Sequence, residues 1–174
     1  MAQNLISSIG PIMQLAFVPD DFDAALAHWT KTMGAGPFFW IEHATLENKK
    51  FEDQPSEVDF GLAIGYWGDM QIELIKQHND VPSIYRTQPY RGAGGIHHVC
   101  LLTDNIATAQ EKTVAAGGKI VFTAEAGDGA VFYAHTGGAE GLVEVLQMGT
   151  GMQDFFDMIK AASIDWDGSD PLRG

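Results

Sequence analysis

At 174 residues, 45% of them hydrophobic and 19% charged, the chain can bury an ordinary core without disulfides or metal staples, as one domain or two small modules. No apolar run approaches the roughly 20 residues a membrane span needs, Met1-Ala2-Gln3-Asn4-Leu5-Ile6 lacks the basic start and apolar stretch of a secretory signal, and Cys100 has no disulfide partner, so a cytoplasmic location is expected. Acidic residues outnumber basic ones 23 to 10, a net charge of −13 that argues against nucleic acid or anionic membrane as partners.

In chain order, Met13 to Val18 is a predicted strand and Asp20-Asp21 a helix cap. Phe22, Ala25, Leu26, Trp29 and Met33 then form the apolar face of a helix closed by Gly34. Phe38-Phe39-Trp40-Ile41 is a second strand, and Val58, Phe60, Leu62, Ile64 and Tyr66 alternate with small or polar residues at the period of a third. A Trp67-Gly68-Asp69 turn leads into Met70 to Ile75. The stretch 77–95 is long for a connection inside a compact domain, and reads as a linker or a functional loop.

The same order then recurs. His98 to Leu102 is a strand, Asp104 a cap, Ile106, Ala109, Thr113 and Val114 a helix face, and Gly117-Gly118 its stop. Lys119 to Thr123 and Ala130 to Ala134 are strands about the Gly127-Asp128-Gly129 turn, and a Thr136-Gly137-Gly138 turn precedes Leu142 to Leu146. Asp20 and Asp104, Phe22 and Ile106, and Gly34 and Gly118 all stand 84 residues apart, so each half reads strand, helix, three strands. Met152, Phe155, Phe156 and Ile159 mark one face of a C-terminal helix over 151–165, and 167–174 is expected to fray.

Polar side chains inside apolar strands require an explanation. Gln14 and His98 sit at equivalent points of the two first strands, Glu73 and Glu144 at equivalent points of the two last strands. If those strands are neighbours on one concave face, one nitrogen and three oxygens converge in a set suited to a divalent cation, which offsets the cost of burying two carboxylates. Taken singly, each has a plainer reading: a strand glutamate facing solvent, a glutamine bonded to a neighbour, a histidine satisfied in the core. Gly92-Ala93-Gly94-Gly95 precedes a strand instead of a helix and is a turn, not a phosphate cradle. Cys100 reads as a buried structural thiol. His28, His43, His78 and His135 form no second metal motif, and alternation is expected to turn His97 away from the metal into the other sheet face.

Gln14 to Leu26, Ile72-Glu73-Leu74-Ile75, Gly95-Ile96-His97-His98-Val99 and Leu142 to Leu146, in this order, resemble the vicinal oxygen chelate superfamily, the glyoxalase, bleomycin-resistance and extradiol-dioxygenase group. The resemblance covers roughly residues 11 to 147 and implies an α+β fold. Paired βαβββ modules, 11–76 and 96–147 joined by a 77–95 loop, would form a curved mixed sheet around a metal cleft, with the C-terminal helix outside the match. It implies Gln14, Glu73, His98 and Glu144 as metal ligands, His98 rather than His97 because the ligand directly precedes the apolar run. The set is similar to some glyoxalase I enzymes and to methylmalonyl-CoA epimerases. Gln14 argues against the iron-dependent extradiol branch, and the intact ligand set against a metal-free sequestering protein.

The implied chemistry is that of a lyase, isomerase or epimerase. A proton next to a carbonyl is removed through a metal-stabilised enolate, with Glu144 as base and Glu73 as its counterpart. Zinc, nickel, cobalt and manganese all suit the donors. Scarce basic residues favour a small, fairly apolar substrate over anionic thiol conjugates. Phe39, Tyr85, Arg86 and Arg91 are candidate substrate contacts, and a homodimer is expected. The alternatives are a non-catalytic, resistance-type binding protein and a hydrolase using metal-bound water.

Overall fold

The computed structural model describes residues 5–137 and 141–174. The Met1 to Asn4 start and the Gly138 end of the predicted turn lie outside these residues. In chain order the elements are β1 (Ile12–Phe17), α1 (Phe22–Ala27), β2 (Phe38–Ile41), β3 (Glu47–Phe51), β4 (Gln54–Pro55), β5 (Phe60–Trp67), β6 (Met70–Gln77), β7 (Ile96–Leu102), α2 (Ile106–Ala115), β8 (Lys119–Ala126), β9 (Gly129–His135), β10 (Leu142–Gln147), α3 (Met152–Ser163) and β11 (Leu172–Arg173). All eleven strands belong to one mixed sheet, in the order β11-β2-β5-β6-β1-β7-β10-β9-β8-β3-β4.

The predicted repeat becomes an approximate twofold arrangement at the centre of that sheet. β1 and β7 pair antiparallel, with Gln14 opposite Cys100 and Ala16 opposite His98. Each is flanked by the last strand of its own half, running parallel: β6 beside β1 and β10 beside β7. The helix caps also obey the 84-residue offset, at Asp21 of the predicted Asp20-Asp21 pair and at the residue after Asp104. Asp21 accepts from the Ala24 amide, and Asn105, not Asp104, accepts from the Thr108 amide. The first helix is shorter than its pattern, because after Ala27 it widens into a π turn over His28–Thr32.

Alternation sorts the core into two faces. On one, Ile72 and Leu74 with Leu15 and Phe17 pack beneath α1 residues Phe22, Ala25 and Leu26, and Leu101 and Val145 pack with Ala109 and Ile106 of α2. On the other lie Ala16, Ile64, Cys100, Tyr133 and Leu146, covered by Phe156 and Ile159 of α3. A Lys160 ammonium bound to the Asp69 carboxylate and the Gly68 carbonyl ties α3 to the β5–β6 turn.

Three features depart from the sequence pattern. The β3–β4 hairpin interrupts the first half and crosses to pair with β8, at the far side of the sheet. Eight strand steps separate β2 from β3 in the sheet order, about 38 Å in a flat sheet. Residues 42–46 alone join the two strands, a reach of about 22 Å at most. The sheet must therefore curl, and the crossing segment spans the mouth of its concave face. The 78–95 stretch does not hang free as a linker: Ser83, Ile84, Tyr85 and Tyr90 are buried against the concave core. The C-terminal residues do not fray, because β11 pairs parallel with β2 and the Phe38 amide donates to the Pro171 carbonyl.

Candidate metal centre

The four central strands deliver the polar side chains. On β6, Gln71, Glu73 and Ile75 alternate with the helix-facing Ile72 and Leu74. On β10, Leu142, Glu144 and Leu146 alternate with Val143 and Val145. Gln14 comes from β1 and His98 from β7. All four predicted ligands are buried, at 4% exposure for Gln14, 6% for Glu73, 0% for His98 and 7% for Glu144. Solvation of two carboxylates is thus replaced by whatever the protein places beside them.

His98 Nε2 lies 2.8 Å from Glu144 Oε2 and 3.5 Å from Glu73 Oε2, and one donor atom from each of the three residues falls within 4.8 Å of the others. The first distance is that of a hydrogen bond but the direction is not: neither oxygen lies along the ring N–H, and Nε2 is left without a hydrogen-bond partner. Gln14 is oriented in a similar way. Its Nε2 donates to Gln71 Oε1 at 2.6 Å, Gln71 Nε2 donates to the Tyr66 hydroxyl at 3.0 Å, and Gln14 Oε1 is buried without a partner. Two orphaned buried donors and two clustered carboxylates fit a divalent cation by donor type and by charge.

The electrostatics carry the same imprint. Burial acts to lower the His98 pKa, but contact with Glu144 and Glu73 outweighs it and raises the ring to about 9. Burial raises Glu73, with His98 opposing. His97 is held down at about 3 by burial first and by the charge of His98 second. Burial also raises the Cys100 thiol well above its ordinary value, so it is kept protonated and unreactive.

A cavity of about 140 Å³ opens over the cluster. Gln14, Glu73, Glu144 and Tyr133 line it beside Ile41 of β2, Ala44 and Leu46 of the crossing segment, Phe60, Leu62 and Ile64 of β5, and Met152, Phe155 and Phe156 of α3. Among the described residues no lysine or arginine lines it. The predicted substrate contacts lie elsewhere. Phe39 is half-buried on β2 beneath the Arg173 guanidinium, outside the cavity wall. Tyr85 is fully buried, its ring 4.9 Å from that of Phe60 and 5.4 Å from that of His97. Arg86 is bound to Asp80 on the surface, and Arg91 reaches Asp20 at 2.8 Å beside an outer groove near α1.

His97 corrects the alternation argument. Instead of turning into the other sheet face, its Nδ1 lies 2.9 Å from His98 Nδ1. The β1–β7 register shifts between the pairs Ala16–His98 and Phe17–Ile96, and this bulge breaks the strict two-residue period at His97. Gln71 is not singled out by the sequence pattern, and Tyr133 reads there equally well as core or as pocket wall. Gln71 could have been found from its place two residues before Glu73 on the same strand face, whereas Tyr133 offered only an aromatic residue in an apolar strand.

A curled mixed sheet made of two like halves, with nitrogen and oxygen donors gathered in its concave face, defines an α+β fold of the vicinal oxygen chelate type. The chain belongs to the Glyoxalase/Bleomycin resistance protein/Dioxygenase superfamily, whose model matches residues 13–134. That superfamily spans metal-dependent epimerase, lyase and dioxygenase activities together with non-enzymatic members. No match to a curated protein was found. Among solved structures, methylmalonyl-CoA epimerase from Mycobacterium tuberculosis is similar at 15% identity and a TM-score of 0.53, covering 82% of this chain and 91% of its own. A hypothetical protein from Bacillus halodurans C-125 gives 14% and 0.52, covering 80% and 94%. A variant methylmalonyl-CoA epimerase from Streptomyces coelicolor, in complex with 2-nitronate-propionyl-CoA, gives 14% and 0.51, covering 82% and 96%. At these identities the likeness is one of fold.

Proposed function

We propose that the protein is a metal-dependent lyase, isomerase or epimerase of the glyoxalase type, which removes a proton next to a carbonyl in a small, largely apolar substrate. The observation that carries this reading is the buried Glu73, His98 and Glu144 cluster at the wall of an apolar cavity, with Gln14 Oε1 unpartnered beside it. Gln14, Glu73, His98 and Glu144 would hold the cation. When bound, it supplies a Lewis acid that polarises the substrate carbonyl and acidifies the neighbouring C–H.

The chain's own residues supply the rest. Glu144 takes the proton and returns it to the same or the neighbouring carbon, and Glu73 is its counterpart across the site. The apolar walls from β5 and α3 exclude water and bury the carbon skeleton. The size of the cavity supports a small substrate, since an apolar cavity of about 150 Å³ accommodates a molecule the size of benzene. The lack of a lining cation supports an uncharged one, because a polyanionic conjugate needs cationic partners.

The test is hydrogen exchange in D2O with small, uncharged 1,2-dicarbonyl and α-hydroxycarbonyl compounds, using protein loaded separately with zinc, nickel, cobalt or manganese. Wild-type protein is expected to exchange the substrate C–H, and Glu144→Gln to lose that exchange while still binding metal. Unchanged exchange in the variant removes Glu144 from the base role. Protein purified from metal-supplemented growth without a bound metal, and unaltered by reconstitution, would favour the non-catalytic binding protein.

A further inference from the structure

We infer that His97, held by the 78–95 loop, is a positioning residue that fixes the tautomer and ring orientation of His98. The inference rests on the reading of His98 as a metal ligand only for its consequence. The hydrogen-bond relay itself stands on the geometry.

The relay begins at a group whose role is not negotiable. His97 Nε2 lies 3.0 Å from the Ile84 carbonyl oxygen, which can only accept, so Nε2 carries the His97 proton. A neutral His97 then presents a lone pair at Nδ1. That atom faces His98 Nδ1 at 2.9 Å, so His98 must donate from Nδ1. With its Nδ1 committed as a donor, His98 is left with Nε2 as its metal-binding atom, and Nε2 is the atom found beside Glu73 and Glu144 without a hydrogen-bond partner. The reverse relay, with a cationic His97 donating to His98 Nδ1, would place a buried charge beside the Tyr85 ring while both carboxylates face His98 instead.

The loop is built to hold this carbonyl still. Ser83 Oγ donates to Gln77 Oε1 at 2.6 Å, Gln77 Nε2 donates to the Val81 carbonyl at 2.9 Å, and the Tyr85 ring packs beside the His97 ring. A metal-bound histidine commonly donates its other ring N–H to a carboxylate or a backbone carbonyl, and loss of that partner typically lowers metal affinity by about 10- to 100-fold. Here a second histidine stands between the ligand and the carbonyl.

The experiment uses the full chain labelled with [15N]histidine. Long-range 1H–15N spectra of the metal-free protein at neutral pH are expected to show His97 protonated on Nε2 alone and His98 bearing a proton on Nδ1. On addition of Zn2+, the His98 Nε2 resonance should shift while Nδ1 keeps its proton. A second arm titrates Zn2+ into His97→Phe, expected to bind about 10- to 100-fold more weakly, and into His97→Asn, whose side-chain oxygen can accept from His98 Nδ1 and should restore most of the affinity. A His97 protonated on Nδ1, or equal weakening in both variants, overturns the inference. Wild-type protein that does not bind Zn2+ would sink the metal reading, and the metal-free spectrum would still decide the relay.

Discussion

Stripping divalent ions from the protein should make its stability fall as pH rises above neutrality. In the metal-free fold the His98 pKa is raised from 6.5 to about 9 by its two carboxylate neighbours acting against burial. A group whose folded value is raised contributes stability that is fully present below pH 6.5 and is lost as pH climbs through about 9. For His98 that contribution is about 3 kcal/mol. Glu73, raised by burial, acts with the same sign, since its folded form keeps a proton that the unfolded chain has released. His97, held at about 3, acts oppositely and only on the acid side, where stability grows as pH rises from about 3 to 6.5. The chelated protein should therefore be markedly weaker near pH 9 than near pH 6.5. Metal binding requires the deprotonated ligands, so the stabilisation by stoichiometric Zn2+ or Co2+ should widen over the same window. Urea unfolding at pH 6, 7.5 and 8.5, with chelator or with metal, measures both curves, and His98→Gln reports the slope contributed by the rest of this acidic chain. A His98→Gln variant with the same pH slope as wild type, or a metal increment that does not grow with pH, would refute the reasoning.

Two substitutions separate orientation from packing. Gln71→Leu removes the acceptor for Gln14 Nε2 and should lower Zn2+ affinity about 10-fold, as measured by calorimetric titration. Its stability should fall by about 1 to 3 kcal/mol, because Gln14 Nε2 is left buried without an acceptor. Phe156→Ala should cost about 3 kcal/mol in urea unfolding, because the ring is 8% exposed and closes the cavity from α3, while metal affinity should stay near wild type.

The duplicated framework was the legible part. Period-two alternation and a constant 84-residue offset located β1, β2, β5, β6 and their counterparts, and paired Gln14 with His98. They also placed Glu73 and Glu144 on equivalent strands, even though those two residues are only 71 apart because the segment between strand and carboxylate is shorter in the second half. The features that escaped are those a local pattern does not encode. Glu47 to Pro55 contains too few apolar residues in alternation to announce strands, and β3 exists because the β8 edge offers it partners across the sheet. Leu172 and Arg173 likewise owe their strand to the free edge of β2. Arg86 and Arg91 stand out in the sequence only by their charge, and in the fold that charge is met by Asp80 and Asp20.

Symmetry supplies the positions of the four candidate ligands, and asymmetry supplies their orientation. Gln14 and His98 occupy equivalent places, as do Glu73 and Glu144, yet the partners that aim the first pair are unrelated. Gln14 is turned by Gln71, whose counterpart on β10 is the apolar Leu142. His98 is met at Nδ1 by His97, which reaches it through a bulge and leans on a loop carbonyl that has no equivalent in the other half. An amide needs its nitrogen occupied to offer an oxygen, whereas an imidazole needs one ring nitrogen to donate so that the other can bind. The two halves therefore require different neighbours as soon as their first-strand residues differ. The crossing segment and α3 then wall the resulting cluster with Ala44, Leu46, Phe155 and Phe156, so a molecule entering the cavity would meet apolar surface everywhere except at the cluster and Tyr133. That contrast suits the proposed proton transfer next to a carbonyl, which needs charge concentrated where it develops and water kept from the rest.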